Sequence, residues 1–132
     1  MFYGCSSLVS VTIPTTITSI EADAFNGCIS LKEITLPYGV TKIGAYAFED
    51  CTSLERITIP SSVTEIGYYA FNYCESLTEI FIPSSVATID FYAFYHCNNL
   101  SIKCELNNQP EGWHNNWNYD KRPVTWGVKA PD

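Results

Sequence analysis

Apolar positions along this chain recur at one fixed interval that is longer than any helix or strand period. Phe occupies positions 2, 25, 48, 71 and 94, Cys 5, 28, 51, 74 and 97, and Leu 8, 31, 54, 77 and 100, each series stepping by 23 without an insertion. Pro14, Pro37, Pro60 and Pro83 keep the same step, as do Ile20, Ile43, Ile66 and Ile89, and Ala24, Ala47, Ala70 and Ala93. The unit reads AF-x-x-C-x-S-L-x-x-I-x-I-P-x-x-V-x-x-I-x-x-x, as in AFEDCTSLERITIPSSVTEIGYY from Ala47 to Tyr69. A repeat this short cannot bury its own apolar face, whereas stacked repeats cover one another.

Each unit predicts its own elements. In L-x-x-I-x-I, Ile57 and Ile59 alternate as the inward face of a short strand does. Pro60 ends that strand, because it has no N–H to give the ladder. Ser61-Ser62 makes a corner, and Val63-Thr64-Glu65-Ile66 supplies a second short extended stretch. Gly67-Tyr68-Tyr69-Ala70-Phe71 is too compact for a strand and predicts a turn of 3₁₀ type.

With these motifs the chain resembles the BspA-like, or Treponema-type, leucine-rich repeats, whose hallmarks are the AF-x-x-C-x-S-L block and the I-x-I-P strand end. The resemblance covers residues 1 to about 104. It implies an α/β-class, right-handed solenoid with a parallel sheet on the concave side, mostly short strands with 3₁₀ turns and little α-helix. It also implies a binding or adhesion role at a cell surface or in secretion. The expected organisation is a solenoid over residues 1–104, a cap over 105–127 and a loose tail over 128–132. The solenoid would hold about five coils, the first incomplete, because Met1 stands in the Ala slot before Phe2.

Both ends depart from the pattern. SIKCEL after Leu100 places Ile102 and Cys104 one residue early relative to Ile80 and Ile82. The sequence then loses the repeat, in a stretch that carries Trp113, Trp117 and Trp126. An open solenoid end needs cover, and each tryptophan can bury roughly 150–250 Å². The alternating Val124-Thr125-Trp126 predicts a last edge strand. At the other end the expected first strand, around residues 10–13, has an uncovered edge with Phe2, Leu8, Val11 and Ile13 beside it. This predicts weak homodimerisation through residues 2–14, or fraying of that coil.

Composition narrows the function. The 132 residues are 46% hydrophobic and 16% charged, with fourteen acids against seven bases and a net charge of −7. Nucleic acid and anionic membrane surfaces both call for a basic face, so neither is expected as a partner. No apolar run approaches the roughly 18 residues that span a bilayer, and MFYGCSSLVS does not read as a signal peptide. Five of the six cysteines stack one per coil, with side chains pointing the same way, and no close Cys pair suits zinc. They are expected to be free buried thiols, with Cys97–Cys104 the one pair off the ladder rule and the alternative bridge. His96 adjoins Cys97, but neighbours on one turn point apart, and no nucleophile or phosphate-loop motif accompanies either His96 or His114. No catalytic, metal or cofactor site is expected. Asn99-Leu100-Ser101 is formally a glycosylation sequon, but Leu100 is a core position.

Ligand contacts are expected at positions the repeat leaves free. One outward lane of the strand face runs Ser10, Glu33, Arg56, Glu79, a second Thr12, Thr35, Thr58, Phe81, and a flanking one Val9, Lys32, Glu55, Thr78. Glu33–Arg56–Glu79 and Lys32–Glu55 alternate in sign, which predicts exposed cross-strand ion pairs or a polar surface for a protein. Tyr46, Tyr69 and Tyr92 form a further column and are expected to be scaffold. Tyr38, Tyr68, Tyr73, Phe81, Phe91 and Tyr95 are free aromatics, with Tyr68 expected on Phe91 and Tyr73 on His96. The candidate ligand residues are Glu33, Arg56, Thr58, Glu79, Phe81, Tyr68, Phe91, Tyr73 and Tyr95. The expected ligand is a protein; a glycan stacked on exposed aromatic faces, or a passive spacer role, are the alternatives.

Overall fold

In the computed structural model, which describes residues 2–131, the period of 23 becomes the advance of a parallel β-solenoid of about five turns. Met1, placed above in the Ala slot, and Asp132 of the expected tail lie outside the described residues. No α-helix or 3₁₀ helix occurs among the described residues.

The second extended stretch of each unit builds one continuous ladder. β1 (Ser19–Ile20), β3 (Lys42–Ile43), β5 (Glu65–Ile66) and β7 (Thr88–Ile89) pair in parallel, isoleucine on isoleucine. Trp113 extends it through a parallel bridge to Ile89. The I-x-I stretches behave differently. β2 (Glu33–Thr35) pairs with β4 (Arg56–Thr58), and β6 (Glu79–Ile82) with β8 (Ser101–Cys104), but β4 and β6 are not hydrogen-bonded. The strand expected around residues 10–13 does not form, because that segment has splayed from β2. A hollow of about 370 Å³ lies between them, and Lys32 N–H to Val9 C=O, 3.1 Å, is the contact that remains. The slip of one residue is real: Ile80 pairs with Ile102 and Ile82 with Cys104, a step of 22.

The compact turn forms a third inter-coil ladder. Phe25, Phe48 and Phe71 N–H groups donate forward to Ala47, Ala70 and Ala93 carbonyls, at 2.7, 2.8 and 2.8 Å. Within one coil the expected i→i−3 bonds occur at alternate residues, Ala24 to Glu21, Asn26 to Asp23 and Cys28 to Phe25. Asp23 and Gly27 in this stretch are left-handed, which breaks the run before a 3₁₀ helix can form. Gly4, Gly27, Asp50, Tyr73 and His96 make one left-handed column and Asp23, Tyr46, Tyr69 and Tyr92 another, with φ between 55° and 80°. Gly and Asp suit this conformation; tyrosine does so only when its surroundings hold it there.

The core is columnar. Phe2, Phe25, Phe48, Phe71 and Phe94 stack with ring centroids 5.2–5.4 Å apart, and Trp117 closes the stack edge-on to Phe94 at 6.2 Å. All six cysteines are free, Cys97 and Cys104 included. They are more than small apolar fillers. The thiols of Cys28, Cys51, Cys74 and Cys97 donate to the carbonyls of Phe2, Phe25, Phe48 and Phe71, one coil back, at 3.0–3.2 Å. Phe25, Phe48 and Phe71 carbonyls also accept the N–H of the cysteine in their own coil, so each ties two coils together.

The end of the array is closed as the tryptophans suggest. Trp113 and Trp117 are buried, with Nε1 of Trp113 donating to Val86 C=O at 3.1 Å and Nε1 of Trp117 to Gln109 Oε1 at 2.9 Å. Trp126 packs half-buried against both, and β9 (Val124–Thr125) is the expected edge strand on β8. Val128, expected to start a loose tail, is instead held by its N–H on Cys104 C=O, 2.9 Å.

Two consequences follow from the columns. Phe48→Ala opens a hole in a fully buried stack and should cost about 3–5 kcal/mol in denaturant melts. Burial also pushes Cys51 and Cys104 from 9.0 up to about 12. Between those values the unfolded chain releases protons that the folded chain keeps. Stability should therefore fall as pH rises through that window, by at most about 1.4 kcal/mol per pH unit for each thiol. Cys51→Ala should flatten the slope in melts at stepped alkaline pH.

Candidate functional site

The nine candidate residues fall on two separate surfaces. Arg56, Thr58, Glu79 and Phe81 line a groove of about 830 Å³ over the face of β4, β6 and β8. Its floor is the seam where β4 and β6 lack a ladder. Equivalent N–H groups on the flanking seams, Glu55 to Lys32 and Ser101 to Thr78, bond back one coil, but Thr78 N–H makes no such bond to Glu55. Ile57 and Ile59 are correspondingly a little more open than their counterparts Ile80 and Ile82. Phe81 and Lys103 are cross-strand neighbours, and Val128, Lys129 and Pro131 supply another wall. Those tail residues have no counterpart 23 positions back in a matching motif, so nothing in the repeat points to them.

The expected set of strand-face ion pairs reduces to one. Glu33 lies opposite Arg56 in register, and Arg56 Nη2 donates to Glu33 Oε2 at 2.7 Å, with Nε at 3.2 Å. The carboxylate raises the guanidinium pKa. Neither Arg56–Glu79 nor Lys32–Glu55 pairs: the first would span the open seam, and the second has exposed, flexible side chains that gain little from closing.

Of the aromatic candidates only Phe81 lines the groove; Tyr68, Phe91, Tyr73 and Tyr95 lie elsewhere. Tyr68 stacks on Phe91 at 5.1 Å and 3°, and Tyr73 on His96 at 4.1 Å and 7°, as expected. Tyr38 stands alone and highly exposed. The supposed scaffold column joins the free aromatics. Tyr46, Tyr68, Tyr69, Phe91, Tyr92, Tyr95, Tyr73, His96, His114 and Tyr119 form one unbroken network of ring contacts at 3.8–6.5 Å. Every member is half-buried or exposed. Packing among the rings removes water from Tyr46, Tyr69 and Tyr95 and raises their phenols, with Glu49 adding to the effect at Tyr46 and Asp120 at Tyr95.

Polar residues that the motif reading passed over fix this surface. Asn72 is buried, donates Nδ2 to Glu49 Oε2 at 3.1 Å, and turns its Oδ1 to His96 Nδ1 at 3.3 Å. With the Asn72 amide so oriented, Nδ1 carries the His96 proton. The His96 backbone N–H goes to Asp120 Oδ2, 2.8 Å. Cys97 turns inward to Phe71 C=O, so His96 and Cys97 do face apart and form no dyad. The signal for Asn72 was the column Asn26, Glu49, Asn72, a polar lane beside a core ladder.

The family model for the BspA type leucine rich repeat region matches residues 1–113 in six copies, reaching Trp113 in the Ile89 ladder. This chain belongs to the BspA-type leucine-rich repeat family. Among solved structures, the leucine rich repeat protein of T. pallidum superposes with a TM-score of 0.65 at 31% identity, over 72% of this chain and 58% of that one. A leucine-rich repeat protein from Bacteroides ovatus gives 0.74 at 32% identity, over 85% and 28%. A leucine rich cell surface protein from Faecalibacterium prausnitzii gives 0.75 at 36% identity, over 87% and 30%. The chain thus spans between about a quarter and three fifths of these relatives. No curated protein sequence matches it.

Because the Glu33–Arg56 pair is solvent-exposed, Arg56→Ala should leave stability almost unchanged, and any difference should shrink further in high salt. Denaturant melts at two salt concentrations check this.

Proposed function

We propose that this chain is a non-enzymatic recognition module of a larger surface or secreted protein and that it binds a protein ligand, in adhesion or host interaction. Residues 1–104 are the repeat array of that module and 105–127 its cap. The observation that carries the reading is the unbroken aromatic network from Tyr46 to Tyr119. Tyrosine-rich surfaces give large contact area at low entropic cost, because each ring has two rotatable bonds and a polar tip. These rings are already held by their neighbours, so little freedom is lost on binding. The groove around Phe81 is a second, more polar contact area for the same ligand class. The Faecalibacterium relative is described as a cell surface protein, which supports the proposed location.

The geometry favours a protein over a glycan. Sugar chains stack on several broad, free ring faces side by side, but the Tyr68–Phe91 and Tyr73–His96 stacks each use up one face of both rings. The test is a solid-phase panel of purified matrix and plasma proteins beside a glycan array. At least one protein should bind, and the double variant Tyr68→Ala, Phe91→Ala should weaken it about tenfold or more, as for interface aromatics. Glycan binding with no protein binding would replace this reading; binding to neither would leave a spacer.

A further inference from the structure

The corner of the aromatic network around Tyr73 carries more chemistry than contact area. Tyr73 stacks on His96 with one face, and no ring covers the other. The residue one coil earlier in that left-handed column is Asp50, whose N–H donates to Asn72 C=O at 2.8 Å. Glu49 adjoins it, and Asp120 holds the other side through the His96 N–H.

None of these carboxylates is paired with a cation among the described residues. Glu49 is bonded by an amide and Asp120 by a backbone N–H. Among the described residues the sole ion pair is Glu33–Arg56, on the strand face. The corner therefore offers one flat aromatic face, 39% exposed as a residue, beside carboxylates that lack a cation, on a chain of net charge −7. The Asn72–His96 contact fixes the ring behind that face, so the platform is preformed.

We propose that this corner takes an arginine side chain of the partner, a step that rests on the protein-ligand reading above. A guanidinium lies flat on the Tyr73 face as an ammonium does not, while its N–H fork reaches carboxylates at the edge. A single free face suffices for it, whereas a sugar chain needs several side by side. The strand-face groove lacks this arrangement: it mixes Lys103 and Lys129 with Glu55, Glu75 and Glu79 around Phe81.

The test uses defined peptides on the whole chain. An alternating Arg-Gly decapeptide and its Lys-Gly counterpart are titrated by isothermal calorimetry and by NMR of the aromatic protons. The Arg peptide should bind at least about fivefold more tightly than the Lys peptide and shift the Tyr73 and His96 ring signals. Tyr73→Asn keeps a residue that tolerates the left-handed backbone and should remove that preference. Asp50→Asn should weaken the Arg peptide about threefold or more, whereas Glu65→Gln, an equal change of charge on the exposed face of β5, should leave it within about twofold. Thermal melts confirm that each variant is folded. Equal affinity for the two peptides, indifference to Tyr73→Asn, or an equal loss in Glu65→Gln would each overturn the arginine site. The peptide assay needs no natural ligand, so its failure removes this site alone, while the protein-ligand reading stands or falls on the protein panel.

Discussion

The carbonyl of Phe48 accepts the N–H of Cys51 in its own coil and the thiol of Cys74 in the next, while the Phe48 N–H reaches forward to Ala70. That set of bonds, repeated coil after coil, is what the rest of the structure depends on. A coil of this length has too few internal partners for its backbone, so the following coil must present the right donor or acceptor at a fixed advance. An insertion in one coil would leave buried backbone groups unpaired on both of its sides, at roughly 1–3 kcal/mol each. This explains why the phenylalanine, cysteine and leucine columns hold their spacing over the whole array. It also explains the cysteine: a smaller apolar residue would fill the space but leave the carbonyl with one bond fewer.

The departures from the period gather where the array stops. Ile80 to Ile102 is a step of 22 and Ile89 to Trp113 a step of 24, so the last coil shortens on one sheet and lengthens on the other. The tryptophans then substitute for the missing next coil. Trp113 continues the isoleucine ladder and Trp117 ends the phenylalanine stack edge-on, which covers the column without requiring a further ring. The indole N–H groups are bonded to Val86 C=O and to Gln109, so this cover leaves no buried donor unpaired.

The same ladder places the aromatic network. Two residues per coil are left-handed, and in the later coils these are Tyr69, Tyr73, Tyr92 and His96 rather than Gly or Asp. Such a backbone costs a tyrosine about 1–2 kcal/mol, which the forward hydrogen bonds of Tyr69, Tyr73 and Tyr92 help to offset. In return each ring leaves the coil in a fixed direction and meets the ring one coil on. A surface of tyrosines fixed from below, with negative charge around it, is the basis of the recognition proposed above.

The sequence by itself determined the columns. A strict period states which residues become neighbours, and for Phe48, Cys51, Ile66, Tyr68–Phe91, Tyr73–His96 and Glu33–Arg56 that was enough, because in-register stacking leaves each of them one neighbour ahead and one behind. The free state of the column cysteines was legible for the same reason, save for the Cys97–Cys104 pair, which the sequence left open. Tertiary structure decided what happens between columns and across seams. That Tyr46, Tyr69 and Tyr92 join the free aromatics, that Asn72 bridges Glu49 and His96, and that β4 separates from β6 all depend on how far each coil is tilted and how each turn aims its side chains. Those quantities are set by the packing of the whole stack, and a repeat of fixed length is compatible with many values of them.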